Sequence, residues 1–139
     1  MGARSGVSFR MIEKRNLFLT SPDNLEKELF ETLASGSGEF KIERIVSRGH
    51  SSAADFWYDQ ETTEWIVLLS GYGRLQFENP AQVIVLEPGD WIEIPARVRH
   101  RVEATSEEAD TIWLAVHWTS SPRESDSTFD KSQIKSEAI

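Results

Sequence analysis

Short segments rich in β-branched and aromatic residues recur between Phe40 and Trp118, and they restrict this chain to few architectures. Gly, Pro, Asn and Asp separate the segments, and none of them has a convincing helical period. About eight strands are predicted, from the segments FKIERIVS, DFWYDQ, EWIVLLS, GRLQFE, QVIVLE, DWIEIP, VRHRVEAT and TIWLAVHW. The gaps are hairpin-sized and leave no room for crossover helices, which argues against a parallel α/β fold. The sequence therefore predicts an all-β domain over residues 40–118, either a small antiparallel barrel or a jelly roll.

The sequences on either side of this region have a different character. Residues 21–35 begin with Ser21 as a candidate N-cap and Pro22 at the first helical position, and apolar residues follow at helical spacing. This pattern predicts one short N-terminal helix that ends at the glycines of ASGSGE. Residues 1–20 form an N-terminal segment and residues 119–139 a Ser-rich, charged tail. We expect both of these segments to be partly flexible.

The composition limits the classes of function. The chain has 15 Lys and Arg residues against 23 Asp and Glu residues, and the net charge of −8 opposes binding to nucleic acid. It contains no cysteine, so it has no disulfide, thiolate metal site or cysteine nucleophile. Residues 1–20 contain neither the apolar core of a signal peptide nor a span long enough for a bilayer. We expect a cytoplasmic protein that binds neither nucleic acid nor a membrane.

His100 is the histidine best placed to carry chemistry. In ARVRHRVE it shares a face with Val98 and Val102. An imidazole buried on that face needs a hydrogen-bond partner or a metal, because a buried unpaired polar group costs roughly 1–3 kcal/mol. A structural histidine with a satisfied ring is the alternative. The opposite face is a basic stripe, for which surface ion pairs are the simpler explanation; it consists of Arg97, Arg99 and Arg101.

A second polar set lies around the start of EWIVLLS. Tyr58 and Gln60 share one face of DFWYDQ, and Glu64 begins an apolar stripe that continues with Ile66 and Leu68. A carboxylate, an imidazole and an amide that converge inside a barrel satisfy the ligand preferences of Fe, Mn, Ni or Zn. Such a site also leaves positions open for water or substrate.

The other two histidines have simpler interpretations. In TIWLAVHW, His117 shares a face with Trp113, and we expect the wholly apolar opposite face to pack inward, so that His117 is an interface or packing residue. The outward Trp113 face then needs cover from the N-terminal segment or from a second copy of the chain, and we expect a homodimer. His50 lies in the loop SRGHSS and is exposed unless that loop folds over the opening of the barrel.

The spacing of these residues resembles the two motifs of the cupin superfamily. The first motif is Gly, His-x-His, three or four residues, Glu, six residues, Gly; the second is Gly, five residues, Pro-x-Gly, two residues, His, three residues, Asn. Six residues separate Glu64 from Gly71, five separate Gly89 from Pro95, and the spacing from Pro95 to His100 is also kept. The resemblance covers about residues 40–118 and is closest to small single-domain bacterial cupins. It implies a cupin-type double-stranded β-helix, and small cupins are commonly dimers.

The first motif lacks both of its histidines. With three residues before Glu64, the His-x-His positions are Tyr58 and Gln60; with four, they are Trp57 and Asp59. Both alignments leave polar groups at the family's ligand positions. An amide or a phenol is a poorer ligand than an imidazole, so we expect any metal to bind more weakly than it does to the full motif.

The second motif retains His100. It differs from the family pattern at two positions, Arg97 and Ala104. The resemblance implies a divalent metal ion on Gln60, Glu64 and His100 that acts on a small polar molecule, with Tyr58 as an acid, a base or an orienting phenol. The missing histidines also fit a second hypothesis, a metal-free cupin without catalysis that serves as a small-ligand sensor or an assembly module.

Overall fold

The computed structural model describes residues 11–19 and 25–119 of the chain. The described residues form β1 (Arg15–Asn16), β2 (Phe40–Ser47), β3 (Thr62–Ser70), β4 (Gly73–Phe77), β5 (Gln82–Leu86), β6 (Asp90–Ile94), β7 (His100–Thr105) and β8 (Thr111–Thr119). One sheet has the strand order β1-β6-β3-β8-β2 and the other has the order β5-β4-β7. Every pairing within these two sheets is antiparallel.

One apolar core joins the two sheets. The five-stranded sheet contributes Ile66 and Leu68 from β3, and the three-stranded sheet contributes Leu75 and Phe77 from β4; each of these side chains is at most 1 % exposed. In β4 the buried residues alternate, because successive side chains of a strand point to opposite faces, whereas β3 is central in its sheet and Val67 on its other face is buried as well. The core therefore fixes which side chains of each strand face the interior.

The all-β architecture is confirmed, with two differences in the strands. The segment DFWYDQ is not a strand: Tyr58 alone forms an isolated bridge with His100, because a turn at Ala53–Phe56 occupies the preceding residues. Strand β1 has only two residues, too few for an alternation to be visible in the sequence.

The predicted helix over residues 21–35 is not found in its described part. Residues 25–35 contain no helical turn, and residues 21–24 lie outside the described residues. The apolar side chains at helical spacing remain exposed, Leu25 by 52 % and Leu29 by 49 %, so they do not pack on the core. A short helix is marginally stable without such packing. The segment instead leads to Gly36, where an added Cβ would collide with the indole of Trp118.

The structure does not describe most residues of the two terminal segments. Residues 1–10 and 120–139, together with Thr20, are not described, so the expected flexibility of both segments stays a prediction. Within residues 11–19 and 25–119, no helix is long and apolar enough to cross a membrane.

Candidate functional site

His100 is the first residue of β7 and points into the core, as the alternation predicts. Its side chain is buried, and Nδ1 lies 2.9 Å from the carbonyl oxygen of Val98. A carbonyl oxygen can only accept a hydrogen bond, so Nδ1 carries the proton and Nε2 keeps its lone pair in the neutral ring. Burial lowers the pKa of His100, which favours that neutral form. Nε2 lies 3.7 Å from Oε1 of Glu64.

Glu64 lies on β3 at the start of the stripe that the sequence predicts. It is fully buried, as are Ile66 and Leu68 further along the same face. In the sheet it is the direct partner of Ile94 on β6 and of His117 on β8. A carboxylate held at this depth faces the interior of the barrel and cannot be hydrated as it would be at the surface.

Tyr58 covers the His100 ring. The two rings stack with centroids 5.6 Å apart and an interplanar angle of 24°, and backbone hydrogen bonds link the two residues in both directions. Asp59 instead accepts a hydrogen bond from the exposed Arg97, and Trp57 lies under the guanidinium of Arg99. Of the two motif alignments, the geometry therefore brings Tyr58, and not Asp59, into contact with His100.

Gln60 follows on the same face as Tyr58. Its backbone carbonyl accepts a hydrogen bond from the amide of Arg97, and its side-chain oxygen is buried. Arg97 itself has a positive φ of 68°, and its guanidinium also pairs with Glu61 at 2.7 Å. These contacts tie the loop before β3 to the loop before β7, the two segments that carry the predicted site residues.

His117 is buried, and the predicted orientation of β8 is wrong. Thr111, Trp113, Ala115 and His117 face the interior and are at most 1 % exposed, whereas the alternate apolar residues face outward. Interior partners explain the difference. The indole N–H of Trp113 donates to Oγ of Ser47 at 3.3 Å, so this polar group is satisfied in the interior.

His117 extends the polar part of the interior. Its Nε2 lies 3.3 Å from Oε1 of Glu43 on β2, and its Nδ1 lies 3.5 Å from the hydroxyl of Thr62. Burial, followed by the positive charge of Lys41 and an electrostatic interaction with His100, lowers the pKa of His117 to about 4. We call the four residues Glu43, Glu64, His100 and His117 the interior polar cluster. The sequence feature that could have placed His117 in the interior is the two-residue alternation along β8, in which a threonine and a histidine lie at the two ends of one face.

A cavity of about 130 Å³ adjoins this cluster at Tyr58. It is lined by Ile45, Ser47, His50, Ser51, Tyr58, Val102 and Trp113. The loop that carries His50 is attached to β7, because the hydroxyl of Thr105 donates to the His50 carbonyl at 2.6 Å. Nδ1 of His50 accepts from the Arg48 amide at 2.9 Å, so Nε2 bears the proton of the neutral ring. His50 is exposed and also lines the cavity.

The metal-binding geometry of the cluster is incomplete. Across residues 11–19 and 25–119, no three His, Cys, Asp or Glu side chains are grouped closely enough to hold a metal ion. His100 and Glu64 thus offer an imidazole and a carboxylate as metal ligands, and no third His, Cys, Asp or Glu side chain of the described residues is grouped with them. The hydrogen bond from Nδ1 of His100 to a backbone carbonyl is nevertheless the arrangement that orients histidine ligands in metal sites.

Comparisons with known proteins agree with this architecture. The family model described as Cupin domain matches residues 35–117. A solved structure from Ralstonia eutropha JMP134, provisionally named a mannose-6-phosphate isomerase, is 40 % identical; the match covers 76 % of this chain and 97 % of that chain, with a TM-score of 0.57. The plu4264 protein of Photorhabdus luminescens is 14 % identical, with 85 % and 84 % of the two chains covered and a TM-score of 0.48. No curated protein matches the sequence. The match over most of the strand region shows that this chain belongs to the cupin domain family.

Proposed function

We propose that the barrel interior binds a divalent metal ion through His100 and Glu64, together with a small polar molecule. The observation that carries this proposal is the lone pair of His100 Nε2, which is buried, makes no hydrogen bond within the described structure and lies 3.7 Å from a carboxylate oxygen. A neutral imidazole facing a carboxylate at that distance is stabilised when a cation lies between them. Fe, Mn, Ni and Zn all accept this pair of ligands.

The amide oxygen of Gln60 is the best further ligand that the chain offers. It is buried, and its backbone is fixed by Arg97 in the loop that leads to Glu64. An amide oxygen binds these ions more weakly than an imidazole does, so we expect an affinity below that of cupins with the complete motif. The bound ion would supply Lewis-acid polarisation of an oxygen on the bound molecule.

The cavity beside Tyr58 is the proposed site for the small molecule. Hydroxyl groups from two serines and the proton on His50 Nε2 provide hydrogen bonds there, and Trp113 provides an apolar wall. Tyr58 lies between this cavity and His100, so its phenol is placed to orient a bound molecule or to exchange a proton with it. The name of the Ralstonia eutropha relative makes phosphorylated sugars the first compounds to test.

Metal content tests the metal part of the proposal. Protein purified without a metal-binding tag, loaded with Fe, Mn, Ni or Zn and then desalted, would be measured by elemental mass spectrometry beside His100→Ala and Glu64→Gln. We expect a near-stoichiometric ion in the wild type and its loss in both variants. His50→Ala is the matched control, because it removes a histidine that does not contact Glu64. A wild-type protein that stays empty after loading with each ion would contradict the proposal.

A metal-free ligand sensor is the second candidate function. The lack of a third His, Cys, Asp or Glu ligand within the described residues favours it. Thermal unfolding with and without a chelator separates the two functions. A sugar phosphate or another small polar compound that raises the Tm equally in both conditions would support the sensor, since a ligand stabilises the state that it binds. A Tm shift that requires the metal would support the first proposal.

A further inference from the structure

Two residues of the basic stripe, Arg97 and Arg99, contact the segment that leads into β3. We call residues 57–61 the site segment, because they include two half-buried residues of the proposed site, Tyr58 and Gln60. A backbone bridge joins the site segment to the first residue of β7. The outer side of the site segment is therefore attached to the loop before β7, the strand of the proposed histidine ligand.

Arg97 holds the site segment at three points around Gln60. Asp59 and Glu61 are exposed, whereas Gln60 between them is half-buried and its Oε1 is buried. The guanidinium of Arg97 contacts both neighbouring carboxylates, with Nη1 3.3 Å from Oδ1 of Asp59 and Nη2 2.7 Å from Oε1 of Glu61. The backbone amide of Arg97 donates to the Gln60 carbonyl at 2.7 Å. One residue thus binds the side chains before and after Gln60 as well as its backbone.

Arg97 adopts a backbone conformation that favours glycine. The turn of residues 95–98 is closed by a hydrogen bond from the Val98 amide to the Pro95 carbonyl at 3.2 Å, and Arg97 is its third residue, with a φ of 68°. A Cβ is unfavourable at positive φ, and glycine avoids that cost. Within residues 11–19 and 25–119, no other non-glycine residue has a positive φ. Such strain persists where the surrounding structure imposes it, often at functional sites.

The ion pairs of Arg97 contribute too little stability to explain an arginine at this position. The Arg97 side chain is 60 % exposed, and its partners Asp59 and Glu61 are exposed by 44 % and 41 %. Ion pairs of this kind add little to the stability of the fold, because solvent and salt screen them. A glycine would avoid the strain and keep the backbone amide that donates to Gln60. Only a side chain at this position can hold both carboxylates on the outer side of the segment.

We infer that Arg97 is a positioning residue that holds the amide oxygen of Gln60 towards the barrel interior. The inference rests on the proposed function, in which this oxygen is a further metal ligand beside His100 and Glu64. The side chains on both sides of Gln60 are held outward, so the Gln60 side chain between them is held on the opposite side. Residues that orient a ligand affect metal affinity strongly without touching the ion.

The side-chain amide signal of Gln60 tests the inference without a metal. In ¹⁵N-labelled full chain treated with a chelator, the signal is assigned by its loss in Gln60→Ala. In Arg97→Ala we expect it to shift to the position of a solvent-exposed glutamine and to exchange faster with water. Arg74→Ala is the matched control, because Arg74 also forms an exposed ion pair, with Glu103 at 3.1 Å, but lies on β4. It should leave the Gln60 signal unchanged.

The affinity for Zn²⁺ alone, measured by competition with a chelator, tests the effect on the metal site. Arg97→Ala should raise the Kd roughly tenfold. In a Gln60→Ala background the same substitution should have no further effect, because Arg97 acts through Gln60. Arg97→Gly should raise the Kd as much as Arg97→Ala does, yet leave the Tm unchanged or higher, because it removes the backbone strain. Arg97→Lys should be intermediate, since an ammonium group bridges two carboxylates less well than a guanidinium.

Three results would overturn the inference. The first is a Gln60 amide signal that Arg97→Ala does not change. The second is a Tm that falls together with the affinity in Arg97→Gly, as a merely structural role requires. The third is a further rise in the Kd when Arg97→Ala is added to Gln60→Ala. A wild type that binds no Zn²⁺ but whose Gln60 signal responds to Arg97→Ala would contradict metal binding and support the positioning role, so the two proposals can fail separately.

Discussion

The free energy of unfolding should fall as the pH drops from 7 to 5, and His117 should cause a large part of that fall. Its pKa is about 4 in the native chain, chiefly because the ring is buried, and near 6.5 in an unfolded chain. Between these values the unfolded state binds a proton that the native state does not bind. Acid therefore favours unfolding, and the stability contributed by the neutral ring is present above pH 6.5 and lost as the pH falls towards 4. The difference between the two pKa values corresponds to a loss of about 2 kcal/mol in the free energy of unfolding between pH 7 and pH 5.

Urea unfolding followed by tryptophan fluorescence, in the presence of a chelator, measures this loss directly. The wild type would be compared with His117→Gln at several values between pH 7 and pH 5, a range that avoids most carboxyl titration. His117→Gln should remove about 2 kcal/mol of the pH dependence, whatever it does to the stability at pH 7. Because the charge of Lys41 also lowers the pKa of His117, Lys41→Met should reduce the total loss without abolishing it.

An unchanged pH dependence in His117→Gln would refute this reasoning. It would mean that protonation of His117 is as favourable in the native chain as in the unfolded one. The carboxylate of Glu43, 3.3 Å from Nε2, would then offset the cost of burying the charged ring. His100, whose pKa burial also lowers, titrates in both proteins, so the difference between them reports His117 together with its interaction with His100.

Two further predictions concern packing. Phe77 is 1 % exposed in the core, with its ring centroid 5.9 Å from that of His100, so Phe77→Ala should lower the free energy of unfolding by about 3–5 kcal/mol in urea titrations; a loss below 1 kcal/mol would show that the site collapses around the gap. A Cβ at Gly73 would collide with the indole of Trp113, so Gly73→Ala should lower the Tm and cost about 1–3 kcal/mol through overpacking; an unchanged Tm would show that the indole can move.

Local alternation was enough to orient VRHRVEAT, which is polar on one side. Its arginines lie on one face and Val98, His100 and Val102 on the other, so the sequence correctly places His100 in the interior. Glu64 is also in the interior, at the start of the predicted stripe of Ile66 and Leu68. The segment TIWLAVHW is apolar on both faces, and alternation separates the two faces without showing which is inward. The deciding contacts come from distant residues: Ser47 receives the Trp113 indole, and Thr62 lies beside His117. Such partners cannot be identified from the strand itself.

The position of the His50 loop, which the sequence left open, also depends on contacts across long stretches of sequence. Thr105 and Asp110 lie more than fifty residues further along the chain, and they hold this loop through the His50 carbonyl and the side chain of Arg48. The helix predicted over residues 21–35 is not found in residues 25–35: the spacing of Leu25 and Leu29 is correct for a helix, but both side chains remain about half exposed instead of packing on the core. The spacing of apolar residues describes a helix only when something packs against it.

The inward orientation of His117 also determines what the outer face of the five-stranded sheet looks like. Because side chains alternate along β8, turning His117 and Trp113 inward necessarily turns Leu114 and Val116 outward. The polar interior and the apolar exterior are thus two consequences of one strand orientation. A substitution on β8 would disturb both, since neighbouring residues serve opposite faces.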